Sequence, residues 1–433
     1  MVVAVRFGTD GIRGRASDEV TVDLAYRLGR AVATVFTVPV YVGYDTRESS
    51  PTLAAAVLAG LRDGGASGVN LGYFTTPGVA VIAQRRRGVG VVVSASHNPY
   101  YDNGLKVLGV GGTKLDHATE AAVESALNVA EGASSTHFDE VAIDETAEHE
   151  YIEHLRALAP TDLSSLFLVV DCANGAASHV AHELFASTGA RLLMIHDQPD
   201  GRNINEGSGS TNVVSLIDAV RDSGADLGLA LDGDADRLIA VDAEGTVRDG
   251  DDLMVLFALD RAASGTLGGG VVVTSMSNLG LYRALDEAGV EIEETDVGDR
   301  NVLLALEEKS WNLGAEQSGH VIFRDLAPTG DGLLTGLLLA ELLVRRGPLA
   351  ELAGAAWRRV PQELFSVSIE HFNDDEVQHL FNELLEFYGV ERADVRLLVR
   401  PSGTEPVVRI MIEALDAEFV EVFSDRLKSL YAT

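Results

Sequence analysis

The sequence predicts an α/β protein of three similar tandem units followed by a smaller C-terminal α+β unit. Three observations carry this. A chain of 433 residues exceeds what one hydrophobic core supports and sets a prior of about three domains. One plan, strand then polar turn then helix then Gly-rich stop then strand, runs through residues 38–72, returns at 166–195 and recurs at 269–298. From residue 361 onward the pattern changes to strands and helices of a different order.

Each element follows from local patterning. In "VPVYVGYDTRESSPTLAAAVLAGLRDGGASGVNLG" (38–72), an apolar β-branched run makes the strand. Small polar residues open an amphipathic helix, and Gly with Ala marks its end. "LFLVVDCANGAASHVAHELFASTGARLLMI" and "GGVVVTSMSNLGLYRALDEAGVEIEETDVG" read the same way. Short apolar strands alternating with helices imply parallel sheets covered on both faces. The acidic stretch 137–157 reads as a solvated helical connector. In the last unit, a strand over "ELFSVSIEHF", a helix over "DDEVQHLFNELLEFYG", paired strands around "RPSGTEP" and a helix over "EFVEVFSDRLKSLYA" make a small α+β domain. The expected divisions are residues 1–148, 149–250, 251–360 and 361–433.

Composition narrows the function classes. Hydrophobic residues make up 46% and charged residues 23%, the balance of a globular chain. The N-terminal run is broken by Arg6 and Asp10 and is no signal peptide. The longest apolar stretch, 332–344, is too short to span a bilayer and contains Glu341. A single cysteine, Cys172, excludes an intrachain disulfide framework. A cytoplasmic protein is expected, with no membrane partner. The formal net charge is −33, and lysine occurs only at 106, 114, 309 and 428. So acidic a balance excludes nucleic acid as a partner and predicts adaptation to molar salt, where self-repulsion is screened. Any phosphorylated substrate must be held by local clusters of Arg and Lys.

Five stretches carry chemistry. In "GVVVSASHNPYYDNGLKV" (90–107), a buried strand opens into a polar loop, the place where open α/β sheets put ligands. Ser96 there is either a nucleophile or an ordinary turn residue. "LDGDADRL" places Asp232, Asp234 and Asp236 in alternation between two apolar strands, so an extended loop turns all three carboxylates to one side. Carboxylates that close repel unless a hard cation sits among them. An EF-hand is excluded, because its sixth and twelfth loop positions would be Arg237 and Ala243. "RPSGTEPVVR" sets Arg400, Ser402, Gly403, Thr404 and Arg409 around one turn, a set of donors suited to a phosphate dianion. "GAEQSGHVIF" presents Glu316, Ser318 and His320 from a loop, an acceptor, a hydroxyl and an imidazole suited to neighbouring sugar hydroxyls. "FGTDGIRG" adds Arg13 in a Gly-rich turn.

Taken together, "FGTDGIRG", "GYDTRESS", "SASHNPYYDNGLKV", "DGDADR", "VGDRNV", "EQSGH" and "RPSGTEP" resemble, in order and over essentially the whole chain, the α-D-phosphohexomutase superfamily, and most closely its phosphoglucosamine mutase branch. The resemblance implies three mixed α/β domains and a smaller fourth around one central cleft. It implies a phosphoserine at Ser96 that exchanges its phosphoryl group with a sugar phosphate through a 1,6-bisphosphate, with His97, Lys106 and Arg13 at the reacting centre. Mg²⁺ is implied on Asp232, Asp234, Asp236 and the Ser96 phosphate. Arg237, Glu316, Ser318 and His320 are assigned to substrate, and Arg400, Ser402, Gly403, Thr404 and Arg409 to the phosphate not in transfer. Interconversion of glucosamine 6-phosphate and glucosamine 1-phosphate is the implied reaction, a hexose 1,6-bisphosphate the activator, and a monomer or homodimer the assembly. The alternatives are a phosphomannomutase/phosphoglucomutase and a non-catalytic sugar-phosphate sensor. The base is left open between Lys106, His320 and another group. Two departures from the superfamily pattern, Ala315 for a Gly and Asn301 for an aromatic residue, bear on the sugar.

Overall fold

Among the described residues the strands form four sheets, three of them built on one topology. The computed structural model describes residues 6–8, 10–135, 137–139, 141–401 and 406–431. The first sheet contains β1 (Ile12–Arg15), β2 (Val40–Tyr44), β3 (Gly68–Tyr73), β4 (Val89–Val93) and β5 (Asp102–Leu108), in the order β1-β5-β4-β2-β3. The second contains β6 (Phe167–Asp171), β7 (Arg191–Ile195), β8 (Leu227–Leu231), β9 (Leu238–Asp242) and β10 (Val247–Arg248), in the order β10-β9-β8-β6-β7. The third contains β11 (Val271–Thr274), β12 (Ile292–Thr295), β13 (Leu313–Ala315) and β14 (Val321–Phe323), in the order β12-β11-β13-β14.

In each sheet the first three of these strands to follow the repeated plan run parallel. The next strand then returns antiparallel beside the third. The expectation of parallel sheets is therefore corrected at one edge. A strand that comes back through a short loop needs no helical crossover and pairs antiparallel. Those return loops, β4–β5, β8–β9 and β13–β14, are equivalent in the three units, and they hold Ser96, the Asp232–Asp236 group and the Glu316–His320 group.

The fourth sheet is antiparallel, β15 (Gln362–Ser368), β16 (Val395–Pro401) and β17 (Val407–Ala414) in the order β15-β17-β16. Helices Asp374–Tyr388 and Ala417–Tyr431 pack on it around their own apolar cluster. Ser402, Gly403 and Thr404, between β16 and β17, lie outside the described residues.

Local chemistry sets the helices. Thr21, Thr75 and Asp249 cap the helices Val22–Val35, Thr76–Arg85 and Gly250–Ser264 through side-chain oxygens that accept first-turn N–H groups. Helices Val22–Val35 and Ser50–Asp63 meet at Gly29 and Gly60. A Cβ at either would come within 2.1 Å of a carbonyl oxygen of the facing helix. The apolar stretch at 332 becomes the helix Gly332–Arg346, buried on most of its surface and part of one apolar cluster that runs through the first three sheets. No helix among the described residues is long and apolar enough to cross a membrane. The acidic connector is corrected too. Thr146–Leu158 buries Ala147, Tyr151, Ile152 and Leu155, a single stripe at helical spacing, and the Tyr151 hydroxyl donates to Asp331 at 2.7 Å.

Candidate active site

The Ser96 loop and the three aspartates meet directly. Ser96 is fully buried where β4 ends, in the left-handed region at φ 52°. Its Oγ donates to Asp232 Oδ2 at 2.6 Å, and His97 Nδ1 lies 3.4 Å away. A non-glycine residue in this region costs about 1–3 kcal/mol and persists only where its surroundings hold it.

The aspartates converge by a different route from the one the spacing suggests. Residues 232–236 make a tight turn rather than an extended loop, closed by Ala235 N–H donating to Asp232 O at 3.0 Å, with Ala235 at φ 59°. The start of the helix Gly332–Arg346 supports the turn, Gly332 N–H donating to Ala235 O at 2.9 Å. Asp232, Asp234 and Asp236 are all buried, and ligand oxygens of the three lie within 4.8 Å of one another. Burial and then the charges of Asp236 and Asp234 push the Asp232 carboxyl well above its ordinary range. The Oδ1 atoms of Asp234 and Asp236 are buried without a hydrogen-bond donor. Three inward carboxylates, one of them resisting ionisation and two with bare oxygens, fit a hard divalent cation.

Cations from the first unit press on this group. Lys106 Nζ, on buried β5, contacts Asp234 Oδ2 at 2.8 Å and Asp10 Oδ2 at 2.7 Å. Burial alone would lower its pKa, but Asp10 and Asp234 outweigh that and raise it, so Lys106 stays a cation at neutral pH. Thr76 Oγ1 donates to Asp234 Oδ2 at 2.6 Å. Arg13 pairs with Asp10. Lys114 spans Asp10 at 2.9 Å and Asp299 at 2.5 Å.

His320 and Glu316 close the third side. His320 is buried, with Nδ1 3.7 Å from Asp236 and Nε2 4.0 Å from Asp299. Burial lowers its pKa, yet Asp236, Asp299 and Glu316 carry it up to about 9. His97 is the opposite case. Burial, Arg237 and Arg13 bring it down to about 4, so it is neutral at pH 7. Glu316 Oε1 accepts from Gly298 N–H at 3.0 Å, and the buried Ser318 hydroxyl oxygen has no partner among the described residues. Ala315 lies inside β13, with no left-handed strain. Asn301 turns its amide back onto the carbonyls of Asp296 and Val297.

A cavity of about 720 Å³ opens over this cluster, lined by Arg6, Asp10, Arg13, Asp236, Arg237, Val297–Asp299, Glu316 and His320. Arg400 and Arg409 sit apart from it on the fourth sheet, directly opposite each other. Burial and the Arg409 charge hold Arg400 below its usual pKa, with Asp296 opposing.

Sequence reading passed over Asp10, Thr76, Lys114 and Asp299. Asp10 and Asp299 stand inside "FGTDGIRG" and "VGDRNV", and Lys114 was marked by the rarity of lysine in this chain.

Family models described as phosphoglucomutase/phosphomannomutase alpha/beta/alpha domains I, II and III match residues 4–133, 149–245 and 249–360, and the C-terminal domain of the same family matches 366–428. A phosphoglucosamine mutase of Desulforamulus reducens is 43% identical over 99% of both chains. One of Thermobifida fusca is 44% identical over 97% of this chain and 96% of its own. Among solved structures, a phosphoglucomutase/phosphomannomutase family protein of Burkholderia thailandensis superposes with a TM-score of 0.78 at 26% identity, covering 99% of this chain and 98% of its own. The fold also matches an Aspergillus fumigatus N-acetylphosphoglucosamine mutase in complex with GlcNAc-6P and magnesium, with a TM-score of 0.68 at 20% identity over 98% and 95% of the chains. The chain belongs to the α-D-phosphohexomutase superfamily, in which its full-length relatives are phosphoglucosamine mutases.

Proposed function

We propose that the protein interconverts glucosamine 6-phosphate and glucosamine 1-phosphate in the cytoplasm, through a phosphoserine at Ser96 and a 1,6-bisphosphate that turns over within the cleft. The observation that carries this is the Ser96 hydroxyl held 2.6 Å from one carboxylate of a buried aspartate triad, with the Lys106 ammonium on a second carboxylate of the same triad. The sugar is supported by the names of the full-length relatives.

The chemistry asks little of the protein beyond positioning and charge. The P–O bond to Ser96 Oγ breaks as the free hydroxyl oxygen of the sugar phosphate bonds to phosphorus. The proton of that hydroxyl must leave. Lys106, His320 and His97 are nitrogen groups near the triad and Ser96, and a base must lie within hydrogen-bond reach of the proton it takes. In the return step the other phosphate of the bisphosphate passes to Ser96 and the same groups reverse roles. Arg13, Lys106 and Arg237 balance charge that develops on the transferred group. Glu316 and Ser318 take sugar hydroxyls, and the facing Arg400 and Arg409, with Ser402, Gly403 and Thr404, take the phosphate that stays. Asp232, Asp234 and Asp236 would hold Mg²⁺ with an oxygen of the Ser96 phosphate, and the ion supplies positive charge at the transferring group. A hexose 1,6-bisphosphate serves as activator by loading Ser96.

The test is a mutase assay on glucosamine, glucose and mannose phosphates with Mg²⁺ and a trace of hexose 1,6-bisphosphate, with Ser96→Ala as the blank. A kcat/KM preference for glucosamine phosphate is expected. A preference for glucose or mannose phosphate would overturn the sugar, and activity in the blank would overturn the mechanism.

A further inference from the structure

Ser96 holds a conformation that its own residue type disfavours, and two side chains from different units grip the backbone that makes it. The carbonyl oxygen of Ser96 accepts from Arg47 Nη2 at 3.1 Å and from Asn205 Nδ2 at 2.9 Å. The carbonyl oxygen of Asn98 accepts from the same two nitrogens, at 2.6 Å and 3.0 Å. Arg47 belongs to the first unit, is fully buried and is paired with Asp45. Asn205 comes from the second unit, the one that carries the aspartate triad. It is half-buried at φ 59°, with its own N–H donating to Ala173 O at 2.9 Å.

The metal-binding turn rests on this grip. A Cβ at Gly233 would come 2.6 Å from Ser96 O and 2.9 Å from Asn205 Nδ2, so the turn packs against the clamped carbonyl itself. The distance from Ser96 Oγ to Asp232 is thus set across a unit boundary, and Asn205 is the side chain of the second unit that spans it to Ser96 O.

Resting on the phosphoserine reading above, we infer that Asn205, opposite Arg47, is a positioning residue for phosphoryl transfer: its amide fixes the Ser96 backbone so that Oγ faces the aspartate triad. It touches neither the sugar nor the transferred group, so its effect belongs in kcat and in the loading of Ser96, with KM untouched. Replacing Arg47 would strand Asp45 in the core, so Asn205 is the side chain to change.

Asn205→Gly keeps the left-handed backbone at no steric cost and removes only the amide. Three quantities are compared with wild type: the single-turnover rate of Ser96 phosphorylation by hexose 1,6-bisphosphate, read by intact mass; steady-state kcat and KM; and the thermal midpoint. The expected result is a loss of about tenfold in the loading rate and in kcat, about 1.4 kcal/mol on the barrier. KM should stay within about twofold and the midpoint within about 2 °C. Asn205→Asp, which sets an acceptor against two carbonyls, should lose more than the glycine variant. Unchanged rates in Asn205→Gly would overturn the inference. So would a loss that comes with a collapsed midpoint and an equal change in KM, since that marks a brace of the fold. A wild-type protein that never carries phosphate on Ser96 would overturn the phosphoserine reading beneath it.

Discussion

At the scale of single residues, strain and charge are concentrated where the chemistry is placed. Ser96 and Ala235 occupy left-handed backbone at φ 52° and 59°, on the two loops that face each other. Ser96→Gly and Ser96→Ala both remove the hydroxyl and its bond to Asp232, but only glycine removes the strain. Denaturant melts should find the glycine variant more stable than the alanine variant by about 1 kcal/mol, with neither able to carry phosphate. Equal stabilities would mean the left-handed turn costs nothing. Lys106 offers a second test. It neutralises Asp10 and Asp234 in a buried site, so Lys106→Met should destabilise the protein by about 3–5 kcal/mol. Mg²⁺ should restore part of that by supplying Asp234 with a counter-charge, and a melt indifferent to both changes would contradict the pairing. These pairings were not legible in the sequence, although Asp10 and Lys106 stood in quoted motifs. Asp10, Lys106 and Asp234 meet only through tertiary packing, and local spacing carries no trace of it.

Among elements, the return loops between the third and fourth strands are the organising feature. The sequence showed the repeated strand–helix–strand plan, and the structure contains it in all three units. It did not show the antiparallel return, because a short apolar strand reads alike in either direction and pairing is decided by the connection. The aspartate turn was misjudged for a related reason. Alternating Asp residues suggest an extended loop, whereas a left-handed Ala235 folds them into a tight turn. Ala315 raised the question of strain, and its place within β13 answers it. Ala315→Gly should cost about 0.5–1 kcal/mol as a glycine in a strand and leave sugar preference unchanged. A shift in the kcat/KM ratio between sugars would show that the methyl matters to the site.

The helix Gly250–Ser264 gives a pH-dependent test. At its N-terminus, burial and the Asp251 charge raise the Asp249 carboxyl to about 7, and burial raises Asp251 to about 6. An acid whose folded pKa is raised binds its proton more tightly in the native state. Its contribution is therefore present below the ordinary value near 4 and is lost as pH climbs to about 7. Asn caps helices as well as Asp and does not titrate. The stability of Asp249→Asn relative to wild type should therefore rise from pH 4 to pH 7, by about 4 kcal/mol. A difference that is flat across that range would contradict the assignment.

For the whole molecule, the net charge of −33 is spread over a surface with few lysines, and the cleft gathers cations against that field. Self-repulsion across such a surface is felt over about 10 Å at 0.1 M salt and about 3 Å at 1 M. The thermal midpoint and the activity should therefore both rise with KCl into the molar range. An optimum near 0.1 M would show that the acidic excess has another cause. The three sheets and their shared cluster bring a serine loop from one unit against a carboxylate turn from the next, and that turn faces a glutamate–histidine loop from the third across one cavity. Individual motifs were legible for all three loops, but their convergence depends on contacts such as Lys114–Asp299 at 2.5 Å that join distant parts of the chain.

The central claim is that Ser96 carries the phosphoryl group between sugar positions. Its most direct test is to incubate the protein with a hexose 1,6-bisphosphate and Mg²⁺, map the phosphate by peptide mass, and chase with glucosamine 6-phosphate. The account predicts one phosphate, on Ser96, that leaves during the chase as glucosamine 1,6-bisphosphate forms. Phosphate on another residue, or on Ser96 but inert to the chase, would contradict it.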